Sequence, residues 1–420
     1  MNTVNVTLEQ VLYFRDRRSK IQAELLERFG MPLISFTMNI AGPRKRFPLA
    51  EFAFDRSLEV LRETLGAPVC FRELRCEAGC GAFLVFDRSA SELKEICLGI
   101  ENESPVGRLL DLDVIGTDGV KLSRSEERRC LICGGPVTPC ARSRAHSLKE
   151  LEAATAEILE KFAAEKTGKL AVRALLDELY FTPKPGLVDS ANCGAHRDMD
   201  LPLMEKSALS LEGYFSAAVS LGLEGGEDMP RKLQEAGMAA EREMFSATGG
   251  VNTHKGAVFS LGLLCAAVGA VLSGGADDVF SAAAAIASGL CVYTTGSHGE
   301  ETARLYHSGG ARSEALKGFP HVKRAMEELL AGKGKLEVLL GIISRLEDTN
   351  LLWRGGKSGL DYVQREAKAI LTAPAADHEK LTRELDRRCI EKNLSPGGAA
   401  DVFGAALFLS YIAAPEQSHR

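Results

Sequence analysis

The sequence predicts two domains of different class, an α+β domain over residues 1–166 and an all-α domain over residues 167–420. Three observations carry this. A chain of 420 residues exceeds the usual size of one domain. Runs rich in β-branched and aromatic residues occur only in its first third. Beyond residue 170, Ala- and Leu-rich segments alternate with polar, Gly-containing loops, and no strand signal of comparable strength recurs.

In chain order, Leu8–Phe29 reads as a helix, and Pro32–Ile40 as a strand ended by the turn signal Ala41-Gly42-Pro43. Gly81–Phe86 and Leu109–Ile115 are two further strands, with a helix at Ser89–Asn102 between them. Ser147–Lys166 reads as one amphipathic helix, with Leu148, Leu151, Ala154, Ile158 and Phe162 at helical spacing. Thr167-Gly168 is expected to interrupt it and mark the domain boundary. In the second half, Gly256–Ser273 and Gly397–Ala414 are as long and apolar as short membrane spans. Both are rich in Ala and Gly, and the second carries Asp401, so buried helices of a large helical core explain them better. No internal repeat or low-complexity tract is evident.

A hydrophobic content of 45% is ample for buried cores, and the net charge of −6 argues against nucleic-acid or anionic-membrane partners. Met1–Asp16 has no export-signal pattern, so the eleven cysteines are expected as free thiols in a cytoplasmic protein.

The densest chemistry lies at Pro183–Asp200. Two prolines and two glycines fix an irregular backbone there. Lys184, Asp189, Asn192, His196, Asp198 and Asp200 add cation, carboxylates, amide and imidazole, and a loop of this kind lines sites more often than it covers surface. Four more polar constellations follow. They are Gly249–Gly256, with Asn252, His254 and Lys255; Ser297–Glu300 leading into Gly309–Glu314, with His298 and Arg312; Asp348-Thr349-Asn350 followed by Arg354; and Ser395–Asp401, with Gly397. Two of them feed directly into the apolar helices. Free N–H groups at a helix start attract phosphate, and Lys255 would add a cation; ordinary capping by Thr253 and Ser395 is the plainer reading. Together they favour a polyphosphate site, with Asp189, Asp198 and Asp200 as catalytic candidates and Asp198 and Asp200 as Mg²⁺ ligands. Asp348 or Asp401 could join them or act as a base. His196, His254 and His298 are read as hydrogen-bonding groups or proton shuttles, or as satisfied structural histidines.

In the first half, a strand at Leu109–Ile115 would place Asp111 and Asp113 on one face. Such a pair holds Mg²⁺ against a triphosphate, as nucleotidyl transfer requires, with Arg108 on the phosphates. The alternative is two exposed carboxylates on an edge strand. Cys130, Cys133, Cys140 and His146 have spacings compatible with a Cys₃His zinc site. A metal-free cluster of cytosolic thiols is the reading the sequence favours, and Arg142, Arg144 and His146 could instead contact phosphate.

Residues 170–415, through Pro183–Asp200, GVNTHKGAVFSLGLL from Gly250 and SPGGAADVF from Ser395, resemble the triphosphoribosyl-dephospho-CoA synthase family. The resemblance implies an all-helical enzyme that joins ATP to 3′-dephospho-CoA and releases adenine. Residues 8–165, through PLISFTMNIAGPRK from Pro32, GRLLDLDVI from Gly107 and RCLICGGPVTPCARSRAH from Arg129, resemble the apo-citrate lyase phosphoribosyl-dephospho-CoA transferases. Leu110 stands where that pattern leads us to expect an aromatic residue. This second resemblance implies a nucleotidyltransferase-like domain. It would transfer the phosphoribosyl-dephospho-CoA group to a serine of the citrate lyase acyl carrier protein (γ subunit) and release pyrophosphate. The two steps are consecutive, so the expectation is one bifunctional enzyme using ATP, dephospho-CoA and Mg²⁺. The equivalent assembly for malonate decarboxylase, and a non-catalytic carrier-protein adaptor, are the alternatives.

Overall fold

A computed structural model describes residues 5–124, 127–291, 302, 305–306 and 309–414. Its contacts divide these into one unit ending at Ala163 and another over Ala164–Ala414.

The first unit opens with α1 (Leu8–Phe29), held at its start by a capping box between Thr7 and Gln10 and ended by Gly30 in the left-handed region. Then follow β1 (Leu33–Met38), α2 (Pro48–Leu65), β2 (Cys70–Cys76), β3 (Gly79–Val85), α3 (Ala90–Glu103), β4 (Leu110–Ile115) and the short α4 (Val137–Ser143). The strands form one antiparallel sheet in the order β2-β3-β1-β4. Side chains alternate between its faces. Ile34, Phe36, Leu84, Leu112 and Val114 pack against Phe54, Leu58 and Leu61 of α2 and Leu93 and Cys97 of α3. Leu33, Phe83, Val85 and Ile115 pack the other face against Ile21 and Leu25 of α1.

Two elements go beyond the sequence expectations. In β2, apolar residues are split between both faces, Phe71 on one and Cys70 and Leu74 on the other, so no apolar run or clean alternation marks it. The helix α2 does carry its signals, Pro48 at the first turn and Gly66 just past the end.

The second unit is helical throughout its described residues. The helix α5 (Leu148–Tyr180) enters it unbroken. The expected interruption at Thr167-Gly168 is therefore corrected. Gly168 serves close packing there, since a Cβ on it would lie 2.2 Å from Ser216 Oγ. After α5 come α6 (Leu201–Ser210), α7 (Glu212–Glu224), α8 (Met229–Ala247), α9 (Lys255–Leu272), α10 (Val279–Ser288) and α11 (Gly310–Leu316). The unit closes with α12 (Pro320–Leu330), α13 (Lys335–Ile343), α14 (Thr349–Thr372), α15 (His378–Glu391) and α16 (Gly397–Ala413).

The centre of this unit is α9, which packs against α7, α8, α10, α11 and α16. It is the one described helix long and apolar enough to cross a membrane, and 67% of it is buried inside the fold. Its small residues are there for contact: a Cβ on Gly269 would lie 2.2 Å from the Val219 carbonyl oxygen of α7. Helix packing at this range is what the Ala- and Gly-rich composition provides.

Candidate active sites

In the helical unit, the segment Ser395–Asp401 touches three of the other polar constellations. Ser395 Oγ lies 2.9 Å from His196 Nε2, in the loop that follows α5. The backbone N–H of Ala399 donates to Asp348 Oδ2 at 2.9 Å. A Cβ on Gly397 would lie 2.4 Å from Asn350 Nδ2. Asp401 reaches the start of α9, where a Cβ on Gly256 would lie 1.9 Å from Asp401 Oδ2. Only glycine at 256 leaves room for that carboxylate.

The histidine of the loop has a defined tautomer. Arg354 Nη2 donates to His196 Nδ1 at 3.2 Å, so Nδ1 is the acceptor and Nε2–H points to Ser395. Burial and the Arg354 charge hold the imidazole neutral, its pKa lowered to about 4. Arg354 Nη1 also donates to the Ala195 carbonyl at 2.7 Å and to Asn393 Oδ1 at 2.9 Å. At α9, His254 is buried, with Nδ1 at 2.8 Å from Ser207 Oγ. Burial, then the charge of Lys184, lowers its pKa to about 4.

Several candidates have structural work of their own. Lys184 is 1% exposed, and its ammonium donates to Glu178 Oε1 at 2.6 Å and to the Glu178 carbonyl at 2.7 Å. Expected from the sequence as a phosphate-binding cation, it stands here in an internal ion pair with Glu178. The Asp189 carboxylate accepts the backbone N–H groups of Lys184, Ala191 and Asn192, closing the loop on itself. These contacts hold the backbone geometry of the loop. Asn192 Nδ2 donates to Asp386 Oδ2 at 2.9 Å, and Asp386 Oδ1 receives the Gly186 N–H at 2.8 Å. Asp200 is the N-cap of α6. Lys255 pairs with Glu241 at 3.2 Å, and Arg312 donates to the Leu290 carbonyl. Asp198 and Asn252 are exposed. His298 lies outside the described residues.

Two carboxyls stand out electrostatically. Asp348 is buried and pushed up to about 6, although backbone N–H groups of α14 and α16 oppose the shift. Desolvation, then the charges of Glu178 and Asp348, pushes Asp401 up to about 8. A carboxyl with such a pKa is mostly protonated at pH 7 and exchanges its proton close to neutral pH, in its ionised form as an acceptor. Glu178 is a residue the sequence reading missed; it sits near the end of α5 with no motif around it.

In the sheet unit, Asp111 and Asp113 lie on the edge strand β4, alternating with buried Leu110, Leu112 and Val114. Their register partners on β1 are Thr37 and Ser35, so both carboxylates share the α1 face of the sheet. Asp113 Oδ1 pairs with Lys121 Nζ at 2.5 Å, and Asp111 Oδ1 with Arg128 Nη2 at 3.3 Å. Arg128 is fixed by Glu101 Oε1 at 2.8 Å and the Leu110 carbonyl at 2.6 Å. Glu101, 2% exposed, also receives the outward N–H of Leu112 and pairs with Arg124. This blocks the free edge of the strand. Arg108 donates to the Arg129 carbonyl and lines a shallow concavity with Asn102, Glu103 and Leu131. Glu101, Lys121, Arg124 and Arg128 were not singled out by sequence, because ion pairs between separate segments leave no spacing signature. The ligand atoms of Cys130, Cys133, Cys140 and His146 lie within 4.8 Å of one another.

Comparison with known proteins covers both units. Residues 164–420 match the family described as ATP:dephospho-CoA triphosphoribosyl transferase (CitG), and residues 6–162 the apo-citrate lyase phosphoribosyl-dephospho-CoA transferase family (CitX). Protein CitXG of Haemophilus influenzae is 32% identical over 96% of this chain and 96% of its own length. Protein CitXG of Leuconostoc mesenteroides subsp. cremoris is 32% identical over 97% of each. A probable 2-(5''-triphosphoribosyl)-3'-dephosphocoenzyme-A synthase of Albidiferax ferrireducens is 39% identical over 59% of this chain and 91% of its own length.

Proposed function

The chain belongs to the CitX family over its first unit and the CitG family over its second, and from this we propose the reactions its two sites perform. It is a bifunctional transferase of citrate lyase prosthetic-group biosynthesis. In the helical unit, the 2′-hydroxyl of 3′-dephospho-CoA attacks the ribosyl carbon of ATP. The glycosidic bond to adenine breaks, the ribosyl–ribosyl bond forms, and the hydroxyl proton passes through the protein to the leaving adenine. Asp401 in its ionised form takes that proton, so the step gains as pH rises towards 8, and the polar groups from His196 to Asn350 orient the two substrates. The α9 start and Lys255 receive phosphate, with Arg354 at the rim of the loop.

In the sheet unit, which we read as nucleotidyltransferase-like, a serine hydroxyl of the acyl carrier protein attacks the ribose-proximal phosphorus of the triphosphate. The P–O bond to pyrophosphate breaks as the new one forms. Asp111 and Asp113 are hard oxygen donors on one face, a donor set that suits Mg²⁺. Bound there, the ion would neutralise triphosphate charge. Arg128 and Lys121 already supply positive charge to the pair, and Arg108 would meet the departing phosphates.

The observation that carries the reading of the helical unit is the convergence of separated motifs on Ser395–Asp401. The test is to incubate the enzyme with ATP, Mg²⁺, dephospho-CoA and apo-acyl carrier protein. Adenine release and a mass gain on the carrier serine are expected together. No adenine release would sink the first assignment, and adenine without carrier labelling the second.

A further inference from the structure

The cysteine cluster of the sheet unit is a built site. Cys130, Cys133 and Cys140 are all free, and Cys133 Sγ lies 3.5 Å from Cys140 Sγ, too far for a disulfide near 2.05 Å. In a tetrahedral zinc site, Zn–S distances of about 2.3 Å place sulfurs about 3.8 Å apart. All four ligand atoms here fall within 4.8 Å.

The backbone is shaped to produce this. Gly134, with a positive φ of 69°, turns the chain after Cys133. The N–H of Cys130 donates to the Gly135 carbonyl at 2.6 Å, and Gly134 N–H to the Cys130 carbonyl at 3.1 Å. A β-bridge from Arg129 to Pro136 closes the knuckle. Cys140 comes from α4, and Arg144, in the left-handed region at φ 49°, turns the chain at the end of α4 ahead of His146. A non-glycine residue held there costs energy that something must offset. Finally, His146 Nε2 is sealed from solvent with no hydrogen-bond partner. A buried, unpaired imidazole nitrogen on a histidine that stands beside three thiols is a donor without its acceptor.

We infer that Cys130, Cys133, Cys140 and His146 bind one structural Zn²⁺. Binding displaces the three thiol protons and takes neutral His146 through Nε2; no electron moves. The four protein ligands close the coordination shell, so the metal does no chemistry itself. Its effect reaches the acid pair through the chain. Arg128 lies two residues before Cys130, and its guanidinium contacts Asp111, while Arg108 grips the Arg129 carbonyl. Zinc therefore positions Arg128, a consequence that rests on Asp111 being in the transferase site.

The experiment uses the full chain purified without chelator. Elemental analysis should give about one zinc per chain. Replacement by Co²⁺ should give the thiolate charge-transfer and d–d bands of a tetrahedral S₃N site. Less than about a tenth of an equivalent of zinc, together with no Co²⁺ thiolate band on reconstitution, overturns the site. Cys133→Ser should lose the metal, and if it fails to fold the Co²⁺ spectrum of the native chain still decides. Zinc stripped with a thiol reagent and chelator, in excess Mg²⁺, should lower carrier labelling on the order of 10-fold and leave adenine release unchanged. Restored zinc should restore labelling. Labelling indifferent to a proven zinc would overturn the coupling to Arg128. The metal content itself is independent of any activity, so the site and the transferase reading fail separately.

Discussion

At the scale of single residues, Asp401 makes the sharpest prediction. Its carboxyl is pushed up to about 8 from an ordinary value of 3.8. Between those values the folded chain holds a proton that the unfolded chain gives up. Native stability therefore falls as pH rises from about 4 to 8. Asp401→Asn lacks this term, so its melting temperature should gain on the native one across that window and level off above it. Adenine release should fall at least about 100-fold, the worth of a general base. Thermal scans of both proteins at matched pH check the first part, and parallel pH curves would refute the assignment. His196 and His254 act oppositely, adding stability as pH rises from about 4 to 6.5, but they are common to both proteins and cancel. Arg354→Ala should raise the His196 pKa while leaving it below 6.5, because burial is the larger cause. Imidazole proton shifts by NMR give that value directly. Which residues sequence could reveal follows from where they lie. His196, Asp348 and Asp401 stand in short polar strings that break apolar periodicity. Glu178, Glu101 and Arg128 stand in ordinary amphipathic or charged surroundings, and only tertiary pairing sets them apart.

At the scale of elements, one side chain ties two helix starts together. Asp348 is the N-cap of α14, accepting from Asn350 at 2.8 Å and Leu351 at 3.2 Å, and its other oxygen takes Ala399 in the first turn of α16. Both helix dipoles then point at one buried carboxyl. Asp348→Ala would strand these N–H groups, and a loss of about 2–4 kcal/mol is expected. Urea unfolding followed by circular dichroism measures it, and a loss below about 0.5 kcal/mol would show the caps to be dispensable. Because the segment between Ser395 and Asp401 leaves its place, adenine release should fall with it. Helices α1 and α3 are legible because cap and period agree along each, and α9 and α16 through their length and unbroken apolar composition. Strand β2 was not, since its apolar residues divide between two packed faces and leave no period-2 signal. The run through Thr167-Gly168 was misread for a related reason: glycine signals an end in isolation, but here it makes room for Ser216.

At the scale of the whole molecule, the proposed assignment puts the two reactions on side chains in different units, Asp401 in one and Asp111 in the other. Their product and substrate are the same compound, the triphosphoribosyl derivative of dephospho-CoA. Asp111→Asn should abolish carrier labelling and leave adenine release intact, because Asp111 belongs to the sheet unit and pairs there with Arg128. Asp401→Asn should abolish both in a coupled assay, yet label the carrier normally when the purified intermediate is supplied. Mixing the two variants then separates two modes of transfer. A freely diffusing intermediate lets the mixture label the carrier after a lag that shortens as enzyme concentration rises. An intermediate retained by the chain that made it leaves the mixture silent, because no chain carries both competent sites. We expect labelling with a lag: covalent linkage raises local concentration without sealing the compound from solvent. Mass spectrometry of the carrier over time reads both the lag and its concentration dependence. Loss of adenine release in Asp111→Asn would refute the division of labour itself.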